Sequence, residues 1–105
     1  MKLFIKTERF KAKTLLLPLQ DKEKYIHAHK IWVNQLKDKG FKISSGYLID
    51  KDGRPGGGGL MMLEAITFQQ AKSIILKDPI IMAGLVNWEL NEWIYASGSL
   101  INLII

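Results

Sequence analysis

The chain has 105 residues, of which 48% are hydrophobic and 24% charged, as in a single soluble globular domain. It has no cysteine, which excludes a disulfide-stapled module, a cysteine-ligated metal site and a thiol nucleophile. The net charge of +5 comes mainly from lysine, with Arg9 and Arg54 as the two arginines, so we interpret it as a solvated surface and not as a nucleic-acid-binding patch.

The first element in the chain is a predicted strand over residues 2–10, where Leu3 and Ile5 alternate with Phe4 and Lys6. Charges recur through this start, so it lacks the apolar region of a signal peptide. The longest weakly charged stretch, residues 94–105, is too short to cross a membrane as a helix, and we expect a cytoplasmic protein. Residues 11–18 are predicted to be a loop or a short extra strand, because Pro18 discourages helix just before it.

The clearest predicted element is a helix that has Asp21 as its N-cap and stops at Gly40. Its apolar side recurs at about 100° per residue and contains Tyr25, Ile26, His29, Trp32, Val33 and Leu36. A second strand over residues 41–49 and a turn over residues 50–55 are predicted to follow.

The second half of the chain begins with a strand over residues 60–66 that is apolar on both faces, which is typical of a central strand. Thr67 and Gln70 form a capping box that opens a second helix. Asp78 is the predicted N-cap of a short helical turn that has Pro79 at its first position. A fourth strand is predicted over residues 86–91, and the tail, residues 95–105, is predicted to add a short strand.

This order of elements, β-α-β-β-α-β, predicts one α+β domain over residues 1–105. It is of the ferredoxin-like type, an antiparallel sheet with two helices on one face. The opposite sheet face then has no cover, although the strand over residues 60–66 is apolar on both sides. We therefore predict a homodimer that forms through the uncovered sheet face.

His29 is the residue whose chemistry stands out, because its imidazole lies within an apolar helix face and titrates near neutral pH. Such a ring needs a hydrogen-bond partner when it is buried. The candidate partners are acidic and hydroxyl side chains that the predicted fold could bring near: Asp50, Asp52, Asp78, Ser44 and Ser45.

Other polar motifs carry weaker signals. His27 lies about 200° from His29 around the helix, so the two cannot share a metal ion, and we expect neither a metal nor a cofactor. The glycines at positions 56–59 lack the Gly-Lys-Ser/Thr ending and the following helix of a phosphate-binding loop. They predict a flexible hairpin end or a close approach of two backbones.

Several motifs keep the order and spacing found in one known family. They are His29 eleven residues before Gly40, Ser44-Ser45-Gly46, Asp52-Gly53-x-Pro55, Asp78-Pro79-x-x-x-Ala83-Gly84-Leu85-Val86, Trp88-Glu89-Leu90 and Trp93. On these motifs the chain resembles, over about residues 24–93, the YciI (YCII-related) family of the dimeric α+β barrel type. The resemblance implies homodimers whose sheets face each other, and a cleft that holds a histidine and an aspartate as an acid/base pair. The matching residues here are His29 and Asp78.

Two functional hypotheses follow. In the first, the chain is a small-molecule enzyme in which His29 transfers a proton, Asp78 steadies the ring and Ser45 lends a hydroxyl group. The expected chemistry is proton abstraction, isomerisation or a lactone-type reaction. The remaining expected pocket residues are Gly46 and the aromatic residues Trp32, Tyr47 and Trp88.

In the second hypothesis, the chain forms a non-catalytic dimer that binds an unidentified metabolite or has a regulatory role. RNA binding is disfavoured, because the strand over residues 60–66 lacks the stacking aromatic residues of an RNA-recognition motif.

Overall fold

The chain folds into one four-stranded antiparallel sheet with its helices on one face. The structure, a computed structural model, describes residues 1–100. The elements are β1 (Lys2–Phe10), α1 (Ala12–Leu15), α2 (Leu19–Asp38), β2 (Ile43–Ile49), β3 (Pro55–Ala65), α3 (Phe68–Ile75), α4 (Pro79–Met82) and β4 (Val86–Trp93). The strand order is β2-β3-β1-β4, which confirms the predicted ferredoxin-like arrangement with β3 in a central position.

The segment between β1 and α2 differs from the prediction. It contains the helical turn α1 and not a loop or a strand, and α1 ends before Pro18, so the proline constrains only the residues next to it. The N-cap of α2 is Pro18 and not Asp21. Pro18 has extended backbone angles, and its carbonyl accepts the N–H of Asp21 at 3.0 Å, which places Asp21 inside the first turn. Gly40 follows the helix with a φ of +94°, the left-handed conformation that glycine favours, as predicted.

The glycine run lies inside β3, which begins at Pro55, and so the prediction of a hairpin end is wrong. The prediction of a close backbone approach is confirmed. A Cβ atom on Gly58 would lie 2.6 Å from the carbonyl oxygen of Glu8, and one on Gly59 would lie 3.0 Å from the carbonyl oxygen of Gly46. Side chains at these positions would separate β3 from its two neighbouring strands.

The other strand limits shift by a few residues. β2 begins at Ile43, and β4 continues to Trp93. Residues 95–100 contain no strand, and the rest of the predicted tail strand lies outside the described residues.

The core lies between the sheet and the helices. It is formed by apolar side chains from three strands and α3: Phe4, Met61, Leu63, Ala65, Ala71, Ile75 and Leu90. Thr67 caps α3 as predicted, since its hydroxyl accepts the N–H of Gln70 at 3.1 Å. The apolar side of α2 is narrower than predicted, because Ile26 is exposed.

Strand alternation gives the sheet two different faces. Phe4, Lys6 and Glu8 of β1 are on the helix side, and Leu3 and Ile5 are on the open side. Within residues 1–100, no helix is both long enough and apolar enough to cross a membrane.

Candidate active site

His29 lies in the middle of α2, on the side that faces the sheet. Its side chain is 12% exposed, and its ring centroid is 5.8 Å from that of Trp32, one turn further along the helix. The ring is therefore held between the helix and the sheet but keeps one edge at the surface.

Asp78 is the residue that holds the inner nitrogen of this ring. Nδ1 of His29 is 2.9 Å from both carboxylate oxygens of Asp78, whose side chain is completely buried. Asp78 is also the N-cap of α4, where its Oδ1 accepts the N–H of Ile80 at 3.0 Å. The same carboxylate therefore caps a helix and binds the histidine.

Ser45 binds the outer nitrogen of the ring. It lies on β2, an edge strand, and its Oγ is 2.8 Å from Nε2 of His29. Because side chains alternate along a strand, Ser44 and Gly46 lie on the opposite face of the sheet. That Gly46 lines the same pocket as Ser45 therefore stays a prediction, and only its backbone could do so.

The ionisation of the Asp78 carboxylate determines which groups of the site donate hydrogen bonds and which accept them. Burial raises the pKa of Asp78, but four other causes together lower it by more: the hydrogen bond from His29, the positive charge of Lys6, the positive charge of His29 and the hydrogen bond from the N–H of Ile80. The net result is a pKa below the ordinary value, so Asp78 is ionised at neutral pH and can only accept hydrogen bonds. When the ring of His29 is neutral, it donates its Nδ1–H to the ionised Asp78, and its Nε2 accepts the Ser45 hydroxyl. This arrangement leaves a proton-accepting nitrogen at the partly exposed edge.

Two charged residues of the site were not found by the sequence analysis. The ammonium group of Lys6 is 3.2 Å from Oδ2 of Asp78 and also bonds to the carboxylate of Glu8, and Lys6 is 1% exposed. The sequence did contain one indication of a buried Lys6: the alternation of β1 places this lysine on the same side of the strand as the apolar Phe4.

The predicted aromatic residues lie in different surroundings. Trp32 packs beside the His29 ring, whereas Trp88 packs against the hydrophobic core. Tyr47 is on the same face of β2 as Ser45, but it is 74% exposed. In the single chain, these three rings do not enclose the histidine.

Other candidate partners are used elsewhere. Oδ1 of Asp50 accepts the backbone N–H groups of Asp52 and Arg54, both at 2.9 Å, and so it closes the turn between β2 and β3. A shallow groove of about 350 Å³ lies near the C-terminal end of α2, next to Lys37, and His29 does not line it. The histidine site is thus separate from this groove.

The family model of the YCII-related domain matches residues 3–94. The chain belongs to the YCII-related family. No curated protein sequence matches this YCII-related protein.

Among solved structures, it is similar to 5-chloro-2-hydroxyhydroquinone dehydrochlorinase (TftG) from Burkholderia phenoliruptrix AC1100 in complex with 2,5-dihydroxybenzoquinone. The two are 22% identical over 90% of this chain and 95% of the other, with a TM-score of 0.69. A dimeric ferredoxin-like protein from an uncultured marine organism is 12% identical over 93% of this chain and 96% of its own, with a TM-score of 0.48.

Proposed function

We propose that this YCII-related protein is an enzyme that takes a proton from a small cyclic substrate with His29 as the general base. The observation that carries the proposal is the two-sided hydrogen bonding of one imidazole. Its Nδ1 meets a buried carboxylate and its Nε2 meets the hydroxyl of Ser45 at the protein surface. A general base needs an orienting neighbour on one side and access to the proton on the other, and both are present.

The expected substrate is a hydroxylated aromatic ring. TftG, which has the same fold, acts on a chlorinated hydroxyhydroquinone. In the proposed step, a ring hydroxyl displaces Ser45 as the donor to Nε2, and its proton moves to that nitrogen. The imidazolium ring so formed is stabilised by the charge of Asp78.

The experiment measures chloride release from a chlorinated hydroxyhydroquinone, together with the thermal shift caused by 2,5-dihydroxybenzoquinone. We compare the wild type with His29→Gln, and we use His27→Gln as the matched control because His27 is exposed on the same helix. The expected result is turnover by the wild type and the control, and a loss of about 100-fold or more in His29→Gln.

Equal activity in the wild type and His29→Gln would contradict the proposal, as would the absence of both turnover and binding. Binding of the quinone without turnover in the wild type would instead favour a metabolite-binding protein.

We also propose that the protein is a homodimer that pairs through the open sheet face. The centre of this face has no helix over it and carries four partly exposed apolar side chains: Leu3, Ile5, Leu60 and Met62. Trp93 extends this surface at β4, where it pairs with Leu3. Apolar side chains gathered on one uncovered face are typical of an interaction surface, and a second copy of the chain offers a complementary one.

A further inference from the structure

We propose that Lys6 is a positioning residue that acts through Asp78 to keep His29 able to accept a proton, and that Glu8 opposes this effect. The inference rests on the proposed role of His29 as a general base, and it adds the charges that set the protonation of that base. Neither Lys6 nor Glu8 has a hydrogen bond or an ion pair with His29 in the structure, and the buried carboxylate of Asp78 is the group that links Lys6 to the ring.

The first step is the burial of the lysine. Lys6 is 1% exposed, Asp78 is 0% exposed, and the Glu8 side chain is 9% exposed. An ammonium group in such a place is stable only when carboxylates neutralise it and accept its hydrogen bonds. Lys6 has two such partners, one on each side.

The second step is the space that allows Glu8 to reach Lys6. Glu8 lies directly opposite Gly59 on the helix side of the β1–β3 pair. A Cβ atom on Gly59 would be 3.5 Å from Cγ of Glu8, which is an ordinary van der Waals contact, so the Glu8 side chain lies directly beside this position. Because residue 59 is a glycine, no side chain of β3 stands opposite Glu8 in this pair.

The third step is the count of charges. With a neutral His29, the cluster of Lys6, Glu8 and Asp78 carries one net negative charge, and with a protonated His29 it carries none. Without Lys6, two uncompensated carboxylates would favour the protonated ring, and a protonated ring has no free electron pair at Nε2. Without Glu8, Lys6 would cancel the charge of Asp78 and favour the neutral ring.

No further charged group joins this cluster among residues 1–100. The ion pairs found there are the three of the cluster and the distant pair of Lys2 with Glu92. The other titratable side chains on the same side of α2 are those of Tyr25, one turn before His29, and Lys22, two turns before it; both are half-buried, and the ammonium group of Lys22 donates to the carbonyl of Leu15.

The test is the pH titration of the His29 ring, followed by NMR in the full chain. The variants are Lys6→Met, Glu8→Gln and the double variant. His27, which is exposed, is an internal reference in every spectrum. Lys2→Met is the matched control, because Lys2 lies on the same strand and the same side but is 56% exposed.

Opposite shifts are expected. Removal of the Lys6 charge raises the pH midpoint of the His29 titration by about 1 pH unit, and removal of the Glu8 charge lowers it. The double variant returns close to the wild type, because its net charge is again that of the wild type. The His27 midpoint and the Lys2→Met spectrum remain unchanged.

The inference would be overturned if the pH midpoint of the His29 titration stayed the same in both single variants, or if it moved in the same direction in both. A purely structural role of Lys6 could not produce shifts of opposite sign that cancel. If Lys6→Met does not fold, Glu8→Gln alone decides, since only a downward shift agrees with the inference. The titration needs no substrate, so a failure of the proposed enzyme activity is recognised separately from a failure here.

Discussion

Replacement of Asp78 by asparagine tests whether the buried carboxylate stabilises the fold through its neighbours. Its two oxygens receive three donors: the ring N–H of His29, the ammonium group of Lys6 and the backbone N–H of Ile80. Asparagine has one acceptor oxygen, so its NH₂ group must face at least one of these donors. Asp78 and Lys6 are 0% and 1% exposed, which prevents bulk water from replacing the lost partner.

We expect Asp78→Asn to lower the free energy of unfolding at pH 7 by about 3 kcal/mol, the lower end of the cost of breaking a buried ion pair. The lower end applies because Glu8 still neutralises Lys6 in the variant. In a domain of this size the change corresponds to a decrease in Tm of about 15 °C. Asp52→Asn, at an exposed turn position, is the control and should change stability by less than about 0.5 kcal/mol.

The pH dependence of the stability gives a second, independent test of the Asp78 carboxylate. The folded state lowers the pKa of Asp78, so the ionised carboxylate stabilises the fold above its unfolded pKa of about 3.9. This stabilisation is lost as the pH falls through the lower pKa of the folded state. Urea unfolding at pH 7 and at pH 3 should therefore show a difference between wild type and Asp78→Asn that narrows at pH 3. Equal stability of the two proteins at pH 7, or a difference that widens in acid, would refute this reasoning.

Three further substitutions test other parts of the fold. Gly58→Ala should destabilise the protein by about 2 kcal/mol in urea unfolding, because its Cβ would lie 2.6 Å from a carbonyl oxygen of β1. Gly46→Ala, whose Cβ would have no neighbour within 4 Å, is its control, and equal effects would contradict the close strand approach. Thr67→Ala should lower the free energy of unfolding by about 1 kcal/mol, because α3 loses its N-cap. Ser73→Ala, at an exposed position within α3, is the control and should not destabilise the protein. A urea midpoint of Thr67→Ala equal to that of the wild type would argue against the cap. Met62→Lys should convert a dimer into a monomer in sedimentation at micromolar concentration, and a wild type that sediments as a monomer would contradict the open-face interface.

The fold could be predicted from the sequence because local patterns agreed with one another. The alternation in residues 2–10, the capping residues Thr67 and Asp78 and the stop at Gly40 each marked an element that the structure contains. The start of α2 was predicted three residues too late. Aspartate is a preferred N-cap residue type, so the sequence pointed to Asp21, whereas the helix begins after Pro18, which has the backbone conformation of an N-cap.

The partners of the histidine were only partly predictable. The pattern placed His29 on the inner side of a helix but left several acidic and hydroxyl residues as its partner. The resemblance to a family, and not the pattern, selected Asp78. Lys6 and Glu8 were missed because strand alternation gives two faces without saying which one is buried. A lysine in a strand is normally taken as exposed, and only the three-dimensional packing shows that carboxylates surround this one.

The most direct test of the proposed general base is to determine which nitrogen of the neutral His29 ring carries the proton. Long-range ¹H–¹⁵N NMR spectra of the neutral ring distinguish a proton on Nδ1 from a proton on Nε2. With Asp78 ionised behind the ring, we expect the proton on Nδ1 and a free electron pair on Nε2, 2.8 Å from the Ser45 hydroxyl. A neutral ring that carries its proton on Nε2 would contradict the proposed base, since that nitrogen could then accept nothing from a substrate.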